Sequence, residues 1–181
     1  MKNKVIILLF LLSTTGLNIT AQQSGSSEKY GKTLNLGVGV GGNYGYYGHV
    51  GHPTPVFVAN FEFDIVDHLT LAPFVNIYSN NDDNYHEIVI PTGVKCTYYF
   101  DKLLKANPDW DFYLAGSLGF AIIISKWDED YHGNKDYYEK PPSLFIDMHA
   151  GAEYHFNSQL GVFADLSLGV LSTGLAIHFA K

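Results

Sequence analysis

Phe112 to Ile124 reads FYLAGSLGFAIII. Its bulky apolar residues Phe112, Leu114, Leu118, Phe120, Ile122 and Ile124 recur at alternate positions, with Tyr113, Ala115, Ser117, Gly119 and Ala121 between them. A period of two marks a strand, because successive side chains of an extended chain point to opposite faces. The less apolar face is made largely of glycine, alanine and serine, where a water-facing sheet would more often carry lysine and glutamate. Small side chains suit the inside of a narrow barrel, which has little volume to fill. The apolar face is therefore read as the outside.

The pattern extends in both directions. Upstream, Leu34, Leu36, Val38 and Val40 alternate with Asn35, Gly37, Gly39 and Gly41, and Phe57, Ala59, Phe61 and Phe63 with Val58, Asn60, Glu62 and Asp64. Leu69, Leu71, Val75 and Ile77 then face away from Thr70, Ala72, Phe74 and Asn76, and Ile88, Ile90, Val94, Cys96, Tyr98 and Phe100 from Gly93, Lys95, Thr97 and Tyr99. Downstream, Leu144, Ile146, Met148, Ala150, Ala152, Tyr154 and Phe156 oppose Asp147, His149, Gly151, Glu153 and His155. Leu160, Val162, Ala164, Leu166 and Leu168 oppose Gly161, Phe163, Asp165 and Ser167; Leu171, Thr173, Leu175, Ile177 and Phe179 oppose Gly174, Ala176 and His178.

Each segment supplies about 9 to 11 residues, the length at which a tilted strand crosses a bilayer. No segment sustains helical spacing, and the only helix expected is a short turn near Lys102 to Ala106. Backbone groups in lipid must pair among themselves, which requires closure. The expected fold is all-β: a single eight-stranded antiparallel transmembrane β-barrel in up-and-down meander order. The competing arrangement is a soluble barrel or sandwich with the apolar face turned in.

Aromatic residues near the segment ends, namely Phe63, Tyr78, Tyr98, Tyr99, Phe100, Trp110, Phe112, Trp127, Tyr154 and Phe156, are read as interfacial girdles. Connections are long at 43–54, 79–87 and 125–143, medium at 101–111, and short at 66–67, 157–159 and 169–170. The long ones are assigned to the outer rim.

Composition agrees with this reading. The chain has 181 residues, 46% of them hydrophobic, and its 16% of charged residues is well below the roughly 25% usual in soluble domains. Eleven lysines face eighteen acids, a net charge of −7, which argues against a nucleic-acid partner. The single cysteine, Cys96, excludes an internal disulfide framework. Lys2 and Lys4 precede an apolar run from Val5 to Leu12 and then Ala21. That is the pattern of a secretory signal peptide over 1–21, followed by a flexible lead over 22–32 and the barrel over 33–181.

Several segments carry a family resemblance: IPTGVKCTYYF (90–100), DWDFYLAGSLGFAII (109–123), HAGAEYHFNSQLGVFADLSLG (149–169), LSTGLAIHFAK (171–181) and VFVANFEFDIVDHLTLAPFV (56–75). They resemble the small outer-membrane β-barrel proteins of Bacteroidetes-type bacteria, in the OmpA-like and OmpX-like eight-stranded class. The resemblance spans essentially the whole chain after the leader. It implies residence in the outer membrane of a Gram-negative cell, with outer-membrane lipid and the barrel-assembly machinery as partners, and no activity. At the end of the chain Phe179 is followed by Ala180 and Lys181, a departure from the terminal aromatic of that class.

The inward face gathers Glu62, Asp64, Lys95, Asp147, His149, Glu153, His155, Asp165 and His178. These are expected to form a lumen polar network in which Lys95 bridges to carboxylates, since a charge left unpaired there is costly. His149, Glu153 and His155 share a face, but positions i and i+4 of a strand lie about 13 Å apart. Glu153 and His155, next neighbours on that face, are nearer candidates. No metal site and no cofactor is expected without help from another strand. In the loops, Tyr44, Tyr46, Tyr47, Trp127, Tyr131, Tyr137 and Tyr138 are candidate contacts for an extracellular ligand or protein, tyrosines being rigid contact area. His49 and His52 form a weak metal pair. Asp128, Glu129, Asp130 and Asp136 lack the spacing of a calcium-binding loop. His86 or His132 could serve as a base, but no serine lies beside them in a distinctive setting, Ser125 and Ser143 being near only in sequence, and Cys96 faces outward. The expected role is non-enzymatic and structural, with a closed polar lumen; a surface-binding module and a lipid-modifying envelope enzyme are the alternatives.

Overall fold

In the computed structural model, residues 31–41, 54–82, 84–128, 130 and 144–179 are described. Residues 1–21, expected to be a signal peptide, the candidate contacts Tyr44, Tyr46, Tyr47, Tyr131, Tyr137 and Tyr138, and His49, His52 and His132 lie outside them. Alternating residues with β-branched and aromatic side chains build eight strands: β1 (Lys32–Gly41), β2 (Thr54–Val66), β3 (Leu69–Asp82), β4 (Tyr85–Tyr99), β5 (Trp110–Trp127), β6 (Leu144–His155), β7 (Leu160–Ser167) and β8 (Val170–Phe179). Each pairs antiparallel with its sequence neighbour, and β1 with β8 from Lys32↔Phe179 to Gly41↔Val170, so the sheet is one closed meander barrel. Lys32 opens β1, one residue before the expected boundary.

The face assignment follows the alternation. Leu118 is 55% exposed and Ile146 is 73% exposed, while Ala72 and Val89 on the opposite face are fully buried. The outer surface is therefore an apolar band around a filled interior. In water such a surface would be a large uncompensated patch; in hydrocarbon it is matched to its solvent.

Both ends of the described barrel lie on one rim, here the terminal rim; the other is the loop rim. The connections at the terminal rim are the Asp67–His68 turn, a segment containing the short helix α1 (Asp101–Leu104), and the turn around Asn157–Gln159. α1 fulfils the expected helical turn and ends where Lys105 adopts a φ of 50°. Trp110, Phe112, Tyr154 and Phe156 form an outward aromatic cluster on this rim, with ring centroids 5.0 to 5.9 Å apart, and Phe61 meets Phe179 at 6.1 Å.

Three expected girdle members point the other way. Tyr78, Tyr99 and Trp127 belong to the inward phase of β3, β4 and β5, and Tyr78 and Tyr99 are buried in the lumen. Alternation, not nearness to a strand end, decides where an aromatic points. The expected long loop 79–87 is also corrected: Ser79 to Asp82 pair with Ile88 to Tyr85, leaving only residues 83 and 84 between the strands. Likewise residues 125–127 extend β5, where Tyr85 pairs with Trp127. These stretches look like loop because they are polar, but a strand needs no apolar face once it has risen beyond hydrocarbon.

Candidate functional site

The inward side chains stack in layers from one rim to the other. Nearest the loop rim, Tyr85 donates to Glu87 at 2.9 Å and packs on Trp127 at 4.8 Å between centroids. Below it an apolar layer of Val56, Tyr78, Val89 and Val170, flanked by Val58, Ala121 and Ile123, crosses the barrel. Valines on three strands, β2, β4 and β8, fill this end because their β-branched side chains pack a narrow cylinder well.

The middle layer is built around Asp165 of β7. Lys95 Nζ lies 2.6 Å from Asp165 Oδ2, and the Tyr113 hydroxyl donates to the same oxygen at 2.9 Å. His149 Nδ1 donates to Oδ1 at 2.8 Å, and Ser117 Oγ in turn donates to His149 Nε2 at 2.9 Å. The ammonium also sits 4.9 Å from the centre of the Tyr113 ring. Gly151 makes room for that ring, since a Cβ at this position would run into it. Lys95 is the one ammonium that the described strands turn inward, against Glu62, Asp64, Glu87, Asp111, Asp147, Glu153 and Asp165.

Ser117, His149 and Asp165 stand in the donor order of a hydrolytic triad. Ser117, however, lies mid-strand, with its backbone in the ladders to both Lys95 and Asp147. The adjoining cavity is about 40 Å³, room for a few water molecules rather than an acyl group and its oxyanion donors. The arrangement holds a buried lysine against a carboxylate that also accepts from Tyr113 and His149.

The layer nearest the terminal rim has two parts. Glu62 accepts from Thr70, from the Tyr99 hydroxyl at 2.5 Å and from Asn35 Nδ2 at 3.4 Å. Beside it, Glu153 Oε1 accepts from His178 Nε2 at 2.6 Å and lies 3.7 Å from His155 Nδ1. His155 Nε2 donates to Asp111 at 2.8 Å, and Thr33 Oγ1 bonds His178 Nδ1 at 2.9 Å.

The nine candidate residues thus divide. Lys95, His149 and Asp165 meet in one layer, and Glu153, His155 and His178 in another. His149, grouped in sequence with Glu153 and His155, belongs elsewhere. Asp64 accepts the Gly31 amide at the terminal rim, and Asp147 accepts the Leu168 amide of the β7–β8 turn at 3.0 Å, so neither reaches Lys95. Trp127 is part of the rim sheet rather than a loop residue. Sequence reasoning missed Thr33, Thr70, Tyr99, Asp111, Tyr113 and Ser117 as members. All have inward phase, which was the available signal, although Asp111 was placed in a connection.

No known protein family and no curated protein matches this chain. Among solved structures, it is similar to the crystal structure of Neisserial surface protein A, with 16% identity and a TM-score of 0.54 over 86% of this chain and all of that one. A de novo designed transmembrane β-barrel aligns with 13% identity and a TM-score of 0.48, over 83% of this chain and 98% of that one. The likeness to the Neisserial protein is one of fold, that of a closed antiparallel β-barrel.

Proposed function

We propose that this chain is a non-enzymatic outer-membrane protein whose barrel serves the integrity of the envelope and whose polar lumen is closed. The observation that carries the reading is the combination of an apolar outer band with an interior crossed by the Val56, Tyr78, Val89 and Val170 layer. An outer-membrane address, a leader over 1–21 removed on export, and kinship with the small barrels of Bacteroidetes-type bacteria belong to the same proposal. So does dependence on outer-membrane lipid and the barrel-assembly machinery. In this orientation the terminal rim faces the periplasm.

The test is reconstitution of the purified barrel in planar bilayers, alongside fractionation of the cells that make it. Recovery with outer membranes and a current near the lipid baseline are expected. A steady open conductance would sink the closed lumen, and recovery in the soluble fraction would sink the membrane reading.

A second reading is favoured by the asymmetric loop rim. β3, β4 and β5 continue through Asp82↔Tyr85 and Tyr85↔Trp127, whereas β7 and β8 stop at Leu166↔Leu171. Among the described residues β3, β4 and β5 form a raised flank, and with Tyr44, Tyr46, Tyr47, Tyr131, Tyr137 and Tyr138 in the connecting sequences it would suit contact with an extracellular ligand or protein. Replacing Tyr44, Tyr46, Tyr47, Tyr131, Tyr137 and Tyr138 together by serine should abolish such binding while leaving the barrel folded; unchanged binding would remove this reading.

A further inference from the structure

At the terminal rim, β6 and β8 are not neighbours, yet their side chains meet. Glu153 and His155 of β6 and His178 of β8 face one another across Gly161 of β7, with one ligand atom from each within 4.8 Å of the other two. Gly161 opens this space, because a Cβ there would collide with Glu153 Oε1. The two imidazole rings lie 4.9 Å apart at their centres. Two imidazoles and a carboxylate are the ligand set of borderline divalent metals, and three protein ligands leave one tetrahedral position for water or another ligand.

We propose that Glu153, His155 and His178 bind a divalent first-row transition metal ion, Zn²⁺ being the representative. The outer partners are those such a site requires. Asp111 accepts from His155 Nε2, leaving the Nδ1 lone pair turned toward Glu153. Thr33 bonds the Nδ1 of His178, whose Nε2 faces the same carboxylate. The carboxylate behind His155 fixes its ring and tautomer, and the hydroxyl behind His178 holds its ring in place. Glu153 Oε1 accepts from His178 Nε2; as the ion takes that nitrogen, the ring gives up its Nε2 proton and takes one on Nδ1, where Thr33 Oγ1 accepts it. His155 and His178 side chains are 22% and 14% exposed, so the cluster is reached from the rim rather than sealed. The surplus of inward carboxyl groups over the single inward Lys95 also favours a dication. The site is independent of the membrane address, since it rests on the interior alone.

The full-length barrel, purified in detergent and stripped with chelator, is titrated with Co²⁺ as a visible probe. One equivalent should bind with d–d absorption bands, and Zn²⁺ should displace it. His155→Ala and His178→Ala should each weaken binding by more than about tenfold, and Asp111→Asn by about 10- to 100-fold with the bands retained. Binding in His149→Ala and His86→Ala should be unchanged. Absence of saturable Co²⁺ binding, or binding undiminished in both His155→Ala and His178→Ala, overturns the proposal. Should those variants fail to fold, wild-type protein decides: Zn²⁺ must shield His155 and His178, but not His86, from a histidine-directed acylating reagent. Equal modification with and without Zn²⁺ also overturns it.

Discussion

Asp165 shows what a single buried carboxylate must do in so narrow a lumen. It accepts from Lys95, Tyr113 and His149, using both oxygens. The two ends of the Lys95 ion pair are not equivalent. Lys95 has Asp165 as its one ion-pair partner among the described residues, whereas Asp165 keeps two other donors. Asp165→Asn should therefore destabilise the barrel by about 3–5 kcal/mol, the cost of stranding a buried charge, and Lys95→Met should cost less. Adding Lys95→Met to Asp165→Asn should restore much of the loss. Urea unfolding in lipid vesicles, followed by tryptophan fluorescence, measures all three; equal costs for the single variants would contradict the asymmetry. At this scale the sequence was partly legible. The need for Lys95 to meet a carboxylate follows from burial, but which one it meets follows from register and reach. Asp147, two residues from His149 on the same face, turns instead to the Leu168 amide.

Among the elements, β5 carries the longest alternation, and its two faces make opposite demands. Leu118 pairs with Val94 and Ile146 near the middle of the span and faces outward. Leu118→Lys should cost about 2–4 kcal/mol, as a charge at the bilayer midplane does in such barrels. Ile124→Lys, six residues nearer the loop-rim end of the same strand and also outward, should cost about 0–1 kcal/mol. The same unfolding assay in vesicles checks both, and equal penalties would mean that the band is not arranged by depth. Alternation made strand identity and facing legible, because phase survives along a whole strand once one residue is assigned. Strand ends were not legible. Ser79–Asp82 and Tyr85–Glu87 have the composition of a loop, and only the ladder between them reveals a hairpin.

For the molecule as a whole, closure is the property on which everything else depends. Unboiled protein should migrate differently from boiled protein in detergent electrophoresis, and a chain ended at Gly169, lacking β8, should lose both that shift and its resistance to protease. Persistence of both in the truncated chain would show that seven strands suffice. The closed outline was legible from eight alternating segments and the hydrogen-bonding demand of lipid. The meeting of Glu153, His155 and His178 was not, since it joins strands separated by β7 and depends on the missing side chain of Gly161.

The ladder between Lys32 and Phe179 sets an order of events in time. β1 is the first of these strands to leave the ribosome and β8 the last, and each supplies the other's second edge. Until β8 arrives, β1 has lost water on one side without gaining a neighbour. Contacts this distant along the chain are slow to form, so through most of its maturation the protein carries two open strand edges that something other than itself must keep apart from other chains.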